Sequence, residues 1–158
     1  MGLGHARSVK FPTLIEDLID EFIVNAYCGY SSSLFESLSG NLFGVGSNDS
    51  NQLCLYGPRH EHVCKLSVFE DMALPFKKIV MSRSHSLFMT IDGRLFVCSQ
   101  DSFPRDSLIE QPKHPSAGDV TLYRVDTSQF TTSRIQNIHA GNNVFFLLTG
   151  RSFLKLNQ

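Results

Sequence analysis

Three short runs hold the residue types that do chemistry. His60-Glu61-His62-Val63-Cys64 carries two imidazoles and a thiol at alternate positions. Alternate side chains of an extended strand share a face, so all three would point one way, as zinc ligands could, with Cys54 as a fourth candidate. Ligands at i, i+2 and i+4 of one strand span too far to converge on a single ion, and structural zinc sites draw on separated turns. The run is therefore read as a polar connecting strand, and no metal is expected. Gly40, Gly44 and Gly46 are spaced GxxxGxG. That is not the dinucleotide fingerprint, and no helical pattern follows to aim an N-terminal dipole at a phosphate. His85 stands between Ser84 and Ser86, but neighbours on a strand face opposite ways and cannot pair as base and nucleophile. His139, beside Ala140-Gly141, is read in the same way. No catalytic residue and no cofactor are expected.

The glycines have another explanation. Ser33-Leu34-Phe35, Gly40 and Leu42-Phe43 recur as Ser86-Leu87-Phe88, Gly93 and Leu95-Phe96, each 53 residues later (86 − 33, 93 − 40, 95 − 42). A period near fifty marks a unit that buries its core by stacking on its neighbours, as propeller blades do. Within each unit the pattern is strand, tight turn, strand. Asp92-Gly93 between apolar runs predicts a type I′ hairpin, and Ser39-Gly40 does the same in the first copy. Phe22 to Ala26 and Phe76 to Val80 supply an earlier strand, matched through Phe22 and Phe76 at a spacing of 54 (76 − 22). A weaker third copy runs from Ile135 through Gly141, with an apolar strand at 144–148, a turn at Gly150 and a return from Phe153. Residues 14–22 have helical apolar spacing, but the repeat context favours irregular chain entering a strand.

The fold expected is all-β, with antiparallel four-stranded propeller blades in one partial propeller domain over 1–158. Its units are a tail of a preceding blade at 1–21, a first unit at 22–75, a second at 76–119 and an incomplete third at 120–158. The Pro-, Ser- and charge-rich stretch 103–119 is an insertion between blades. Composition fits this reading. Hydrophobic residues make up 42% and charged residues 18%, and there are 13 Phe and no Trp, which suits an aromatic-packed β interior. A net charge of −1 with no Lys/Arg run argues against nucleic acid as the partner. No apolar stretch approaches a membrane span, and Met1 to Ala6 lacks the apolar core of a secretion signal and the Ser or Thr of a myristoylation site. Cys28, Cys54, Cys64 and Cys98 show no CxxC spacing and are read as four reduced thiols of a cytoplasmic or nuclear protein. Asn48-Asp49-Ser50 fits a glycosylation sequon but is read as turn chemistry.

Cys28-Gly29, Ser33-Leu34, Gly40-Asn41-Leu42-Phe43, Gly46-Ser47-Asn48 and Asn51-Gln52-Leu53 follow one another in the first copy. His85-Ser86-Leu87, Asp92-Gly93-Arg94-Leu95-Phe96 and Ser99-Gln100-Asp101 do so in the second. This ordered set resembles the repeat of the regulator of chromosome condensation family, over nearly the whole chain. The resemblance implies a β-propeller of about seven blades, with His85 a structural residue of the blade interior. There are departures: Cys54 replaces a glycine of the family's Gly-Gln-Leu-Gly run, Met81-Ser82 stands where Cys-Gly is expected, and the third copy lacks the His-Ser pair.

Three units leave open blade faces, so the chain is expected to be a segment of a longer protein or to associate with other subunits or with itself. The function expected is a non-enzymatic protein-interaction scaffold. Its contact is expected in the insertion, through Phe103, Arg105, Lys113 and His114 on a Pro-stiffened frame. The resemblance also implies an alternative, nucleotide exchange on a Ran-like small GTPase, for which the insertion would have to act as the wedge.

Overall fold

Apolar runs broken every few residues by Gly, Ser and Asp form short strands, because a pleat places successive side chains on opposite faces. The structure is a computed structural model that describes residues 2–5, 7–57, 59–66, 69, 75–98, 107–110, 122–142, 144–150 and 152–157. The first blade is an antiparallel sheet of β1 (Ile23–Cys28), β2 (Ser32–Ser37), β3 (Leu42–Ser47) and β4 (Arg59–Lys65), in that order. The second contains β5 (Phe76–Met81), β6 (Ser86–Thr90), β7 (Leu95–Cys98), β8 (Leu108–Glu110) and β9 (Tyr123–Val125), in the order β5-β6-β7-β9-β8. The third contains β10 (Ile135–Ala140), β11 (Val144–Thr149) and β12 (Phe153–Asn157).

The all-β antiparallel architecture is as expected, but four strands per blade describes only the first. Part of the stretch read as an insertion pairs as an edge strand, with Leu108 opposite Val125 and Glu110 opposite Tyr123, which gives the second blade a fifth strand. Residues 14–22 form one 3₁₀ turn at Glu16–Leu18, with Leu18 buried, before the chain enters β1.

A bulge recurs at the start of each blade. Ile23 faces Ser37 and Asn25 faces Glu36; Phe76 faces Thr90 and Lys78 faces Met89; Ile135 faces Thr149 and Asn137 faces Leu148. The counterpart of Phe76 is therefore Ile23, not Phe22, and the period is 53 (76 − 23) here as elsewhere in the two blades. The spacing of 54 between Phe22 and Phe76 is thus a match to the wrong residue of a bulged strand, because a bulge adds one residue to one strand only. Turns between the first and second strands also repeat. Gly29 N donates to Ser32 O, Ser82 N to His85 O and Gly141 N to Val144 O, each at 2.8 Å. Ser82 fills the glycine's place with the same hydrogen bond.

The two hairpin glycines are not in type I′ turns. Only Gly40 (φ 84°) and Gly93 (φ 89°) have positive φ, whereas Ser39 and Asp92 do not, and a type I′ turn needs both. Gly93 N donates to Thr90 O at 2.9 Å, and Thr90 N donates to Arg94 O at 3.0 Å, so the loop is longer by one residue. The same two bonds form at Ser37, Gly40 and Asn41.

Strand alternation then builds two seams. From β6 and β7, Phe88, Phe96 and Cys98 face the first blade, meeting Leu34, Leu42, Leu53, Leu55 and Leu66. Leu87, Met89, Leu95 and Val97 face the third, meeting Ile135, Ile138, Phe145 and Leu147. Every residue of β6 and β7 is buried. A strand covered on both sides reads as a near-continuous apolar run, as Leu87-Phe88-Met89 and Leu95-Phe96-Val97-Cys98 do between the buried polar ends Ser86 and Thr90.

Candidate interaction surface

Phe103, Arg105, Lys113 and His114 lie outside the described residues. Their neighbourhood is described at its roots, where β7 ends at Cys98 and where β8 and β9 pair.

At the opposite end of β7 from Cys98, and beside the β8–β9 pair, lies a cleft of about 540 Å³, bounded by the β6–β7 turn, the end of β9, the 3₁₀ turn Thr127–Gln129 and the segment entering β10. Arg94, Arg124 and Arg134 line it together with Asp92 and Asp126. Arg94 Nε donates to Asp92 Oδ2 at 2.7 Å, and the guanidinium lies 5.9 Å from the centre of the Phe96 ring. Arg134 Nη2 donates to the Ile91 carbonyl at 2.8 Å, tying the third blade to the turn of the second. Asp126 caps its 3₁₀ turn, accepting from Ser128 N at 3.1 Å and Ser128 Oγ at 2.7 Å. The Thr90 hydroxyl, followed by Arg94, holds the Asp92 carboxyl below the usual carboxylate range. The Ser128 contacts do the same for Asp126, with Arg124 a smaller cause. The cleft is thus lined by ionised groups of both signs, with three arginines against two aspartates. Guanidinium forks of this kind suit carboxylates and peptide carbonyls of a protein partner. The sequence reading missed this cleft, because its arginines come from three separated segments. The one usable signal was Arg94 directly after the Asp92-Gly93 turn.

The runs singled out for chemistry resolve differently. β4 carries a register shift between the pairs Gly44–Cys64 and Gly46–His60, so simple alternation fails there. Cys64 Sγ lies 3.5 Å from His60 Nδ1, while His62 is exposed and turns to Asp17, with Nδ1 3.3 Å from Oδ2. Asp17 also accepts from Val63 N at 2.9 Å, the main reason its carboxyl lies below the ordinary range. Burial, and to a lesser degree Asp17, pushes the Cys64 thiol up. His60, His62 and Cys64 do not converge as ligands of one ion.

His85 is fully buried, edge-on to Phe145 of the third blade with centroids 6.2 Å apart. Contrary to the expectation that its neighbours face away, Ser84 Oγ is 2.7 Å from His85 Nδ1. Ser84 precedes β6 and sits in the turn, where strand alternation does not apply. Asn48 is buried and organises the 48–57 loop. Its Nδ2 donates to the Leu55 and Gly57 carbonyls at 2.6 and 2.8 Å, and its Oδ1 accepts from Leu53 N at 2.8 Å.

The reading of four reduced thiols also needs correction. Cys28 and Cys64 are free, but Cys54 and Cys98 form a disulfide across 5.4 Å between their Cα atoms. No CxxC spacing announces the pair, because its two residues belong to different blades, 44 residues apart.

No family model matches the chain. Among curated proteins, the human X-linked retinitis pigmentosa GTPase regulator is 28% identical over 102 residues, which are 65% of this chain and 10% of that protein. Human protein RCC2 is 31% identical over 96 residues, 61% of this chain and 18% of that protein. The chain therefore spans less than a fifth of the length of these relatives. Among solved structures, yeast RCC1 (Prp20) bound to Kap60 superposes with a TM-score of 0.65 at 15% identity, over 85% of this chain and 32% of that one. A second structure of Prp20p from Saccharomyces cerevisiae, described with its binding to Gsp1p and histones, gives 0.64 over 85% and 33% at 15% identity. These likenesses show the fold of stacked β-propeller blades, and with the ordered motifs of both copies they support the regulator of chromosome condensation repeat family, diverged and partial.

Proposed function

We propose that this chain is a non-enzymatic protein-interaction scaffold, one segment or subunit of a larger propeller assembly. The observation that carries this reading is the two-sided burial of the middle blade. Its strands are consumed by packing, so specificity falls to the loops and clefts that the stack holds in fixed positions. The contact is assigned to the 103–119 stretch, through Phe103, Arg105, Lys113 and His114, together with the arginine-lined cleft beside the β8–β9 pair. A protein segment bearing carboxylates matches that lining. The far side of the third blade supports assembly: Val144, Phe146 and Leu148 alternate with the seam residues, and Phe153, paired with Leu148, is 71% exposed. An apolar sheet face of this kind suits another blade or another subunit. The location proposed is the cytoplasm or nucleus; among the described residues no helix is long and apolar enough to cross a membrane.

The relatives supply the second reading, nucleotide exchange on a Ran-like GTPase, since one is named a GTPase regulator and Prp20p is described with Gsp1p. Release of a fluorescent guanine nucleotide from Ran, with this chain in excess, separates the two. A flat trace, with a pulled-down partner lost on replacing Phe103 and Arg105 by alanine, is the expected result. Release well above the spontaneous rate overturns the scaffold reading, and survival of the partner after the double change moves the contact off the insertion.

A further inference from the structure

Cys54 and Cys98 invite a different kind of conclusion, because their pairing crosses a blade boundary. Cys54 belongs to the 48–57 loop of the first blade, and Cys98 is the last residue of β7 in the second. Both are almost completely buried, at 2% and 0% exposure, within the apolar seam. Their Cα separation of 5.4 Å lies within the range that disulfide geometry demands. The backbone at Cys54 adds a second, independent observation. It has φ of 50°, a left-handed conformation that costs a residue with a Cβ and that glycine takes freely. Among the described residues only one other non-glycine, Asn51, has positive φ, and asparagine tolerates it far better than cysteine does. A cysteine held in this conformation, facing a second cysteine in the next blade, is a strained residue with a covalent use.

We propose that Cys54 and Cys98 form a redox-dependent staple that locks the 48–57 loop of the first blade to the end of β7. The chemistry is thiol–disulfide exchange with a low-molecular-weight disulfide such as glutathione disulfide. One cysteine, as its thiolate, attacks a glutathione sulfur and releases one glutathione as thiolate. The other, also as its thiolate, then attacks the mixed disulfide and displaces the second. Two cysteine thiols are oxidised, one glutathione disulfide is reduced to two glutathiones, and the protons move from the cysteines to the released thiolates. Because the pair is buried, exchange needs the 48–57 loop to lift. Asn48 opposes that by bonding the Leu53, Leu55 and Gly57 backbone. With the staple reduced, the seam is held by its apolar packing and by the bond from Ser86 Oγ to the Gln52 carbonyl at 2.6 Å. Cys98 is also the residue from which the chain leaves toward 103–119, so the staple fixes one root of that stretch whatever the stretch binds.

The test equilibrates the intact chain in glutathione buffers from reducing to oxidising. Free thiols are then quenched with N-ethylmaleimide in denaturant, and peptides are mapped by mass spectrometry. The expected result is one cross-linked peptide pair, Cys54 with Cys98, while Cys28 and Cys64 enter no protein cross-link and carry only maleimide or glutathione. The oxidised protein should melt higher than the reduced one by roughly 5–15 °C, because the link closes a long loop of the unfolded chain. Asn48→Ala should speed reduction by dithiothreitol about tenfold or more, since it frees the loop that must lift. Cys54→Gly, which relieves the left-handed strain and cannot pair, should melt alike in both buffers. Absence of the cross-linked pair even in the most oxidising buffer overturns the proposal. So does a wild-type melting temperature indifferent to redox state, or a Cys54→Gly variant that shifts with redox as the wild type does.

Discussion

The seam between the first and second blades and the seam between the second and third draw on alternate residues of the same strands, β6 and β7, yet they are completed by different means. On the first, the 48–57 loop drives Leu53, Cys54 and Leu55 between the blades, and Phe69, Phe76 and Phe88 stack with centroids 4.6 to 5.5 Å apart. The second has an apolar centre of comparable make-up but a polar margin. Lys77 Nζ donates to the Gln136 carbonyl and Lys78 Nζ to Asn137 Oδ1, both at 2.8 Å, while Arg134 reaches the Ile91 carbonyl. The first seam is filled by loop residues, and the polar-margined seam carries the arginine cleft. A repeat protein therefore gains stability from nearest-neighbour interfaces at both places, and among the described residues the second also carries an open charged cleft.

The comparison breaks most visibly in the centres of the two seams. Phe88→Ala removes a fully buried ring from the first and should cost about 4 kcal/mol. Leu147→Ala, equally buried in the second, should cost about 3 kcal/mol. Urea titration of each variant and of the pair measures both. Costs that add show that the seams act independently; a shortfall of more than about 0.5 kcal/mol shows coupling through the shared strands.

The loop that fills the first seam is the next target. Asn48→Ala leaves two carbonyls and one amide of the 48–57 loop without their buried partner, and should cost about 2 kcal/mol in urea titration. An unchanged midpoint would mean that Leu53 and Leu55 hold the loop by packing alone.

How much of this was legible in the chain depends on range. The period and the hairpin positions follow from local rules, since Ser86-Leu87-Phe88 and Leu95-Phe96 with Gly93 between them fix a pleat and a turn within a dozen residues, whereas the turn type and the edge strand β8 do not. The bulges were not legible, because an extra residue in β1 or β5 changes no residue type, and the match of Phe22 to Phe76 went wrong by one. The site was least legible. Arg94, Arg124 and Arg134 meet only after two blades stack, and Cys54 finds Cys98 across 44 residues of sequence. Only the resemblance marked Cys54 as standing where the repeat has glycine, and its left-handed backbone now explains why that position prefers one.

The two hairpin turns sharpen the contrast at lower energy. Gly40 and Gly93 have nearly the same positive φ, so valine at either should cost about 1 kcal/mol or more. A Cβ at position 40 meets nothing within 4 Å, whereas one at position 93 meets Arg134 Nε at 3.5 Å and Cγ at 3.6 Å, before the rest of a valine is added. Gly93→Val should therefore be the more damaging of the two in thermal melts, because it also displaces the arginine that joins the second and third blades. Equal losses would place the whole cost in backbone strain and leave Arg134 without a structural part.

The smallest effect lies in the charges at the cleft. Asp92 is held below the ordinary carboxylate value first by the Thr90 hydroxyl and then by Arg94. A carboxylate with a lowered folded-state pKa stabilises the fold above its unfolded value and loses that contribution as pH falls through the folded value. The loss therefore belongs below about pH 4, where the unfolded chain takes up the proton first. Asp126 behaves in the same sense through Ser128. Asp92→Asn should lower the melting temperature slightly at neutral pH and make no difference near pH 2, so the two melting curves converge as acid is added. Asp17, in the 3₁₀ turn that packs on the outer strand of the first blade and away from the cleft, is lowered mainly by the Val63 amide. Its Asn variant should converge on the wild type over a similar range, but without changing partner binding at neutral pH. Capture of the partner weakened by Asp92→Asn and untouched by Asp17→Asn would tie the binding surface to the polar seam; equal capture by both would put it elsewhere.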